Sequence, residues 1–326
     1  MVTALHSSAA GSAPTFTHAA EAFLAAHTRA GAWSPGTVVK YGQTLTGLAA
    51  KLAAGPVERS VAALDTPAGA AALETAFTDA YGALAPATRA RHLAALRSAL
   101  DWWRTVAWMT GDPTRGWARP KISRDDSRAL TPDQIAALWR LEVTVREKTL
   151  WRLLYETAAR ATEILTLDVA DLDPVNKRAR VVSKGGDTEW VYYQTGAALL
   201  LPRLLAGRTR GPVFLADRAP TRAVPGLDLC PVTGRARLSY RRAAELFEHA
   251  TRPLGASGAD EAHGWTLHQL RHSALTHDAE AGTNTPMLLA RSRHASMRSL
   301  ERYARPGPEA LARHAAATDP ARRRQH

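Results

Sequence analysis

Residues 266–303 read TLHQLRHSALTHDAEAGTNTPMLLARSRHASMRSLERY. Thr266 and Gln269 have the spacing of a capping box, in which each side chain satisfies the other residue's backbone N–H, so a helix is predicted to start here. On that helix His268, Arg271 and His272 fall at i, i+3 and i+4 and share one face. The first turn's N–H groups and the positive end of the helix dipole favour an anion nearby. A second histidine, His294, and a tyrosine, Tyr303, follow in the same stretch. The face reads as built to meet negative charge, and the added phenol suits chemistry on a phosphodiester. Taken singly, each histidine can also be a packed, satisfied side chain, and the tyrosine a half-buried anchor.

The totals agree with an anionic partner. The 326 residues carry a net charge of +12, a pI near 10.4 and 45% hydrophobic content. That length suits one large domain or, better, two. The excess is rich in arginine, whose planar fork matches phosphate oxygens better than lysine does. Nucleic acid is the leading partner and an anionic membrane surface the runner-up. A single cysteine, Cys230, excludes an internal disulfide framework and a Cys-rich zinc site. The first fifteen residues, MVTALHSSAAGSAPT, lack the basic start and apolar core of a signal peptide. Apolar runs such as ALLLPRLLA are far too short to span a bilayer. A soluble cytoplasmic protein is expected.

Upstream of the opening stretch, the pattern is helical. Residues 1–14 are small and polar without periodicity and read as a disordered N-terminus. From 15 to 110 a helical bundle with basic surfaces is expected. Phe16, Ala20, Phe23 and Leu24 form one stripe. Ser34-Pro35 is a cap followed by proline at the first helical position, leading into Val38, Tyr41, Leu45, Leu48 and Leu52. Thr66-Pro67 starts a third helix. A long fourth is predicted from about Ala87 to Met109, with Leu93, Leu96, Leu100, Trp103 and Val106 as its apolar stripe. Lys40, Arg89, Arg91, Arg97 and Arg104 are its domain's candidate DNA contacts, with solvated surface charge as the alternative.

Residues 111–128, GDPTRGWARPKISRDDSR, carry the Gly, Pro and charge of a basic linker, with Arg119 and Lys121 as further candidate DNA contacts. A second domain, 129–318, opens on the capping box of Thr131 and Gln134. Helical pattern continues through TAARATEILTLDVADLD. Two β-prone runs, Arg178–Ser183 and Thr188–Gln194, flank KGGD, a good hairpin turn with Lys184 at its tip. A short strand over Pro212–Leu215 is expected next, then an unassignable loop at 217–237. Ser239 caps a helix with Ala243, Leu246, Phe247 and Ala250. Beyond Tyr303, Pro308 starts a final Ala-rich helix, and 319–326 form a basic tail.

The ordered set of residues resembles the tyrosine recombinase, or phage integrase, family of site-specific recombinases. TAARATEIL resembles the box around the family's first catalytic arginine, here Arg160, with Glu163 as its supporting partner. Lys184 on SKGGDTEWV matches the β-hairpin lysine. LHQLRHSALTHDAEAG resembles the His-x-x-Arg-His box through its closing glycine, giving His268, Arg271 and His272 and ending at Gly282. SRHASMRSLERY resembles the last box, with His294 nine residues before the nucleophile Tyr303. Two departures stand out. Arg293 occupies the place of a usual glycine, and Ala158-Ala159 stand where Gly-Leu is common.

The resemblance implies a mainly α fold with a small β-sheet: an N-terminal SAM-like helical bundle that binds the core DNA site, and a mixed α+β catalytic domain. It implies duplex DNA held between the two, a homotetramer on two DNA sites, and a 3′-phosphotyrosyl intermediate formed without a cofactor. Arg160 and Arg271 would clamp the phosphate. His268 would take the tyrosine proton, Lys184 would protonate the departing 5′-oxygen, and His294 would donate to the phosphate. His272 would pack or orient the site. A metal held by His268, His272 and His277 is the rival use of those rings, opposed by the nearby arginines and the lack of carboxylates. Two other functions share the pattern: a type IB topoisomerase-like enzyme that reseals the same strand, and a non-catalytic DNA-binding protein.

Overall fold

The computed structural model describes residues 13–53, 55–121, 129–183, 186–255 and 264–293, together with Leu300, Ala312, Ala315 and Ala316. The chain divides into two units, Met1–Arg124 and Asp125–His326, each with its own apolar core.

The first unit is all helical: α1 (Phe16–Arg29), α2 (Pro35–Leu52), α3 (Pro56–Arg59), α4 (Pro67–Tyr81) and α5 (Pro86–Thr105). Proline opens four of them, where its missing N–H costs nothing. Ser34 and Thr66 cap α2 and α4 as their sequence predicts, accepting from Thr37 N at 3.3 Å and Gly69 N at 3.1 Å. The stripes meet in a core of Phe16, Phe23, Leu45, Leu48, Leu73, Leu96, Leu100 and Trp103. The Trp103 indole N–H finds Ala19 O at 3.0 Å and so fastens α5 to α1.

Helix α5 ends four residues short of Met109. Ala107 takes a left-handed φ of 58°, and Trp108 N returns to Trp103 O at 3.0 Å. Met109 still reaches the core by way of this turn. The next stretch, expected as linker, packs on the helical unit at least through Trp117. Arg97 donates to Thr114 Oγ1 at 3.1 Å and Trp117 O at 3.2 Å, and the Trp117 ring lies 5.3 Å from Phe77.

The second unit opens on α6 (Pro132–Arg140), whose capping box of Thr131 and Gln134 is present as expected. Next come α7 (Val145–Thr157) and the short α8 (Ala161–Leu165). Strands β1 (Leu172–Asp173), β2 (Arg178–Val182) and β3 (Thr188–Tyr192) form an antiparallel sheet in the order β1-β2-β3. The hairpin register pairs Val182 with Thr188 and Arg180 with Trp190. β1 had no signal in the sequence, being only two residues long.

Helix α9 (Thr195–Leu205) follows without a cap of its own. Instead Glu156, on α7, accepts from Gln194 N at 2.8 Å and Ala197 N at 3.1 Å, supplying the missing cap from a distance. The Pro212–Leu215 stretch makes only isolated bridges, to Asp168 and Arg237. The loop at 217–237 is organised by Arg237. Its guanidinium reaches Asp228 at 2.7 Å and Asp168 at 2.8 Å, and donates to Leu167 O at 3.0 Å.

Helices α10 (Tyr240–Thr251), α11 (Leu267–Glu280) and α12 (Thr285–Ser292) complete the described elements. Ser239 caps α10 as expected, accepting from Arg242 N at 3.2 Å. The expected disordered N-terminus lies almost wholly outside the described residues, as do the last part of the linker, most of the helix from Pro308 and the basic tail. Among the described residues no helix is long and apolar enough to cross a membrane.

Candidate active site

The first candidate clamp, Arg160, owes its position to a broken helix. The sequence pattern reads as helical straight through residues 150–173, but α7 stops where Ala158 adopts a left-handed φ of 52°. A non-glycine residue there is strained and ends the helix. The chain then restarts at α8 with Arg160 as the residue flanking its first turn. Glu163 locks that restart. Its carboxylate accepts the Arg160 amide at 2.8 Å and the Arg160 Nη1 at 2.8 Å. The Glu163 side chain is 4% exposed and that of Arg160 is 36% exposed, so the carboxylate is an inward anchor and the guanidinium still faces solvent.

Arg160 lines a cleft of about 670 Å³ together with Thr162, Glu163, Arg180, Ser183 and Thr188. Its walls are α8 and the β2–β3 hairpin. Lys184 follows Ser183 directly in the chain, but lies outside the described residues.

Arg271 is held quite differently. Its capping box is present, with Thr266 N donating to Gln269 Oε1 at 2.7 Å. The three residues expected to share one face of α11 differ in burial. His268 is exposed, His272 is 8% exposed and Arg271 only 2% exposed. α11 is buried along most of its length, because Leu267, Leu270, Ser273, Ala274 and Leu275 also point inward. Arg271 Nη1 donates to Ala158 O and Nη2 to Ser292 O. One guanidinium thus joins the turn before Arg160 to the end of α12, next to the turn that leads to His294. The His268 and His272 rings meet edge to face, 4.7 Å apart.

Three helices close this region from behind. Tyr155 on α7 hydrogen-bonds His277 Nδ1 on α11 at 2.8 Å. Asp278 pairs with Arg291 on α12 at 2.7 Å, and Arg291 donates to Glu156 O at 3.0 Å. Burial pushes the Asp278 carboxyl up from the usual range, against the pull of Arg291. It pushes the Tyr155 phenol up as well. His277 is therefore engaged with α7 instead of joining His268 and His272. Among the described residues no group of His, Cys, Asp and Glu could hold a metal ion.

Gly282, the closing glycine, sits at φ +89°, where a side chain would be strained. The departure at Arg293 falls at a helix end. Arg293 takes φ 52° and ends α12, and its side chain is 6% exposed. It pairs with Glu163 and, at 3.0 Å, with Glu189 on β3. His294 and Tyr303 lie outside the described residues. Leu300, between them in sequence, is fully buried against Ala158, Ala274, Leu275 and Leu288. The structure thus brings together Arg160, Arg271, the hairpin strands and the segment approaching His294. Glu189 and Arg293 were missed as a pair. A glutamate sharing the inward face of β3 with Val191 was the available signal.

The candidate DNA contacts of the first unit sort into two groups. Lys40, Arg91, Arg119 and Lys121 are exposed. Arg104 pairs with Asp101, Arg89 donates to Gly82 O at 3.2 Å, and Arg97 is spent on residues 114–117.

Known proteins resemble this chain in sequence and in fold. The model of the phage integrase family matches residues 128–309, more than half of the chain. A tyrosine recombinase XerC from Roseiflexus sp. (strain RS-1) is 26% identical over 226 residues, covering 67% of this chain and 68% of that one. A tyrosine recombinase XerD from Mycobacterium leprae (strain TN) is 29% identical over 231 residues, covering 68% and 70%. Among solved structures, the Tn1549 transposon integrase in complex with a circular intermediate DNA superposes with a TM-score of 0.65 at 14% identity, covering 94% of this chain and 100% of that one. The XerH site-specific recombinase bound to its difH substrate gives 0.58 at 15% identity, covering 94% and 99%. At these identities the structural likeness establishes a shared fold, mainly α with a small sheet.

Proposed function

The chain belongs to the phage integrase family, and from that premise we propose that it is a tyrosine-type site-specific DNA recombinase that cuts and rejoins strands through Tyr303. The observation that carries this reading is the Arg160 cleft. A half-exposed arginine fixed by a buried carboxylate faces the hairpin that leads to Lys184, while Arg271 joins its base to the end of α12.

The reaction follows from these groups. The Tyr303 Oη attacks the scissile phosphorus, forming the phosphotyrosyl bond as the P–O5′ bond breaks. His268, exposed at the start of α11, takes the phenolic proton. Lys184 protonates the departing 5′-oxygen. Arg160 and Arg271 stabilise charge that grows on the non-bridging oxygens, and His294 donates to one of them. The ester conserves the bond energy, so a 5′-hydroxyl from a second strand reverses the step with no nucleotide cofactor. His272 orients the site, and the protein acts in the cytoplasm as a tetramer on two duplex sites.

The test uses short duplexes with a randomised centre and a nick in one strand, which strand covalent complexes once cleavage has occurred. Complexes that survive denaturing gels reveal the target. Two copies of that target on one plasmid are then expected to yield recombinant circles. Relaxed circles without recombinants would make this a topoisomerase-like enzyme instead. Duplex binding with no covalent complex would make it a DNA-binding protein without catalysis.

A further inference from the structure

We propose that Arg293 is a positioning residue: through two carboxylates it fixes Arg160 and strand β3 to the turn that precedes His294. The claim rests on the cleavage reading above for one of its two tests.

The backbone supplies the first observation. Arg293 sits at φ 52°, ψ 42°, and its amide closes α12 on Leu289 O at 2.9 Å. Glycine adopts this conformation freely, whereas any Cβ is strained in it. An arginine is therefore a costly choice if the residue only ends the helix. The side chain supplies the second observation. It is 6% exposed and reaches Glu163, itself 4% exposed, and Glu189 on β3 at 3.0 Å. One oxygen of Glu163 holds the Arg160 guanidinium, and the other takes the Arg160 amide and Arg293.

Two guanidinium groups thus fix one buried carboxylate in a single orientation, and the carboxylate aims Arg160 into the cleft. The same Arg293 ties β3, and with it the hairpin that carries Lys184, to α8. The charges balance, with Arg160 and Arg293 against Glu163 and Glu189. Without Arg293, Glu163 keeps one cation and gains room to rotate, and Glu189 loses its ion pair with Arg293. A catalytic group displaced by about 1 Å can lose roughly 10²-fold in rate, so a loosened Arg160 is felt in the chemistry before it is felt in DNA binding.

Arg293→Gly separates this role from helix ending, because glycine suits the turn better than arginine does. In the full chain, with the nicked duplex recovered from the randomised pool and below the melting temperature of each variant, Arg293→Gly is expected to keep duplex affinity within about twofold. Covalent complex formation should slow about 10- to 100-fold. Arg293→Lys, which reaches one carboxylate, should recover part of the rate. Glu189→Gln should slow the wild type but cost nothing further in the Arg293→Gly background, as expected of partners in one interaction. The second test needs no activity. Amide hydrogen exchange at Arg160 and across Glu189–Val191 should be faster in Arg293→Gly without DNA. Wild-type cleavage rates in Arg293→Gly, additive losses with Glu189→Gln, or unchanged exchange would each overturn the proposal. If the wild-type chain forms no covalent complex, the cleavage reading fails and the exchange result alone decides the role of Arg293.

Discussion

In the helical unit Lys40 and Arg91 stand exposed, and neither pairs with a carboxylate among the described residues. In the catalytic unit Arg271 is 2% exposed and bound to two carbonyls, and Arg293 lies against two carboxylates. The same kind of side chain serves opposite purposes. An exposed cation can follow a phosphate backbone and contributes affinity without geometry. A cation held by buried acceptors gives up that freedom and defines the shape of a site. Arg160 stands between the two cases: its base is locked by Glu163 while its guanidinium is 36% exposed.

That comparison can be broken most directly at Arg271. Arg271→Ala should strand two buried carbonyls and lower stability by about 2–6 kcal/mol, from roughly 1–3 kcal/mol per unsatisfied acceptor. Cleavage should fall by at least about 10²-fold. Urea unfolding followed by tryptophan fluorescence and single-turnover cleavage measure the two effects. Arg160→Ala should lose about 10²-fold in cleavage with less than about 1 kcal/mol in stability, because its ion pair is partly solvated. If both variants destabilise equally, the two arginines do not differ in what they hold up.

Within the helical unit, Arg97→Ala should lower stability by about 1–2 kcal/mol by releasing the 114–117 stretch from α5. Lys40→Ala and Arg91→Ala should leave stability unchanged. Each should weaken duplex binding only a few-fold and reduce its salt slope by about one. Titrations at several salt concentrations read this out, and an unchanged slope would remove those residues from the DNA footprint.

Local signals carried much of the fold. Ser34-Pro35, Thr66-Pro67, Thr131 with Gln134 and Thr266 with Gln269 each satisfy a helix end within four residues, so each was legible in the sequence. The two strands flanking KGGD were legible from their β-prone runs, and their register agrees. What escaped depends on distant partners. The left-handed Ala158 has no signature in TAARATEIL, and its carbonyl is taken by Arg271 from another helix. The cap of α9 comes from Glu156, and the 217–237 loop hangs on Arg237 reaching back to Asp168. Arg293 could be read only as a departure, because Glu163 lies 130 residues away. On α11, periodicity placed His268, Arg271 and His272 on one face but carried no signal that Arg271 and His272 are buried while His268 is exposed.

Mapping the covalent complex tests the central claim most directly. The full chain is trapped on the nicked duplex and digested, and the DNA-bearing peptide is sequenced by mass spectrometry. The expected result is a 3′-phosphate joined to Tyr303, with Tyr303→Phe binding the duplex but forming no covalent complex. A phosphoryl link on any other residue, or a complex that persists in Tyr303→Phe, would contradict it.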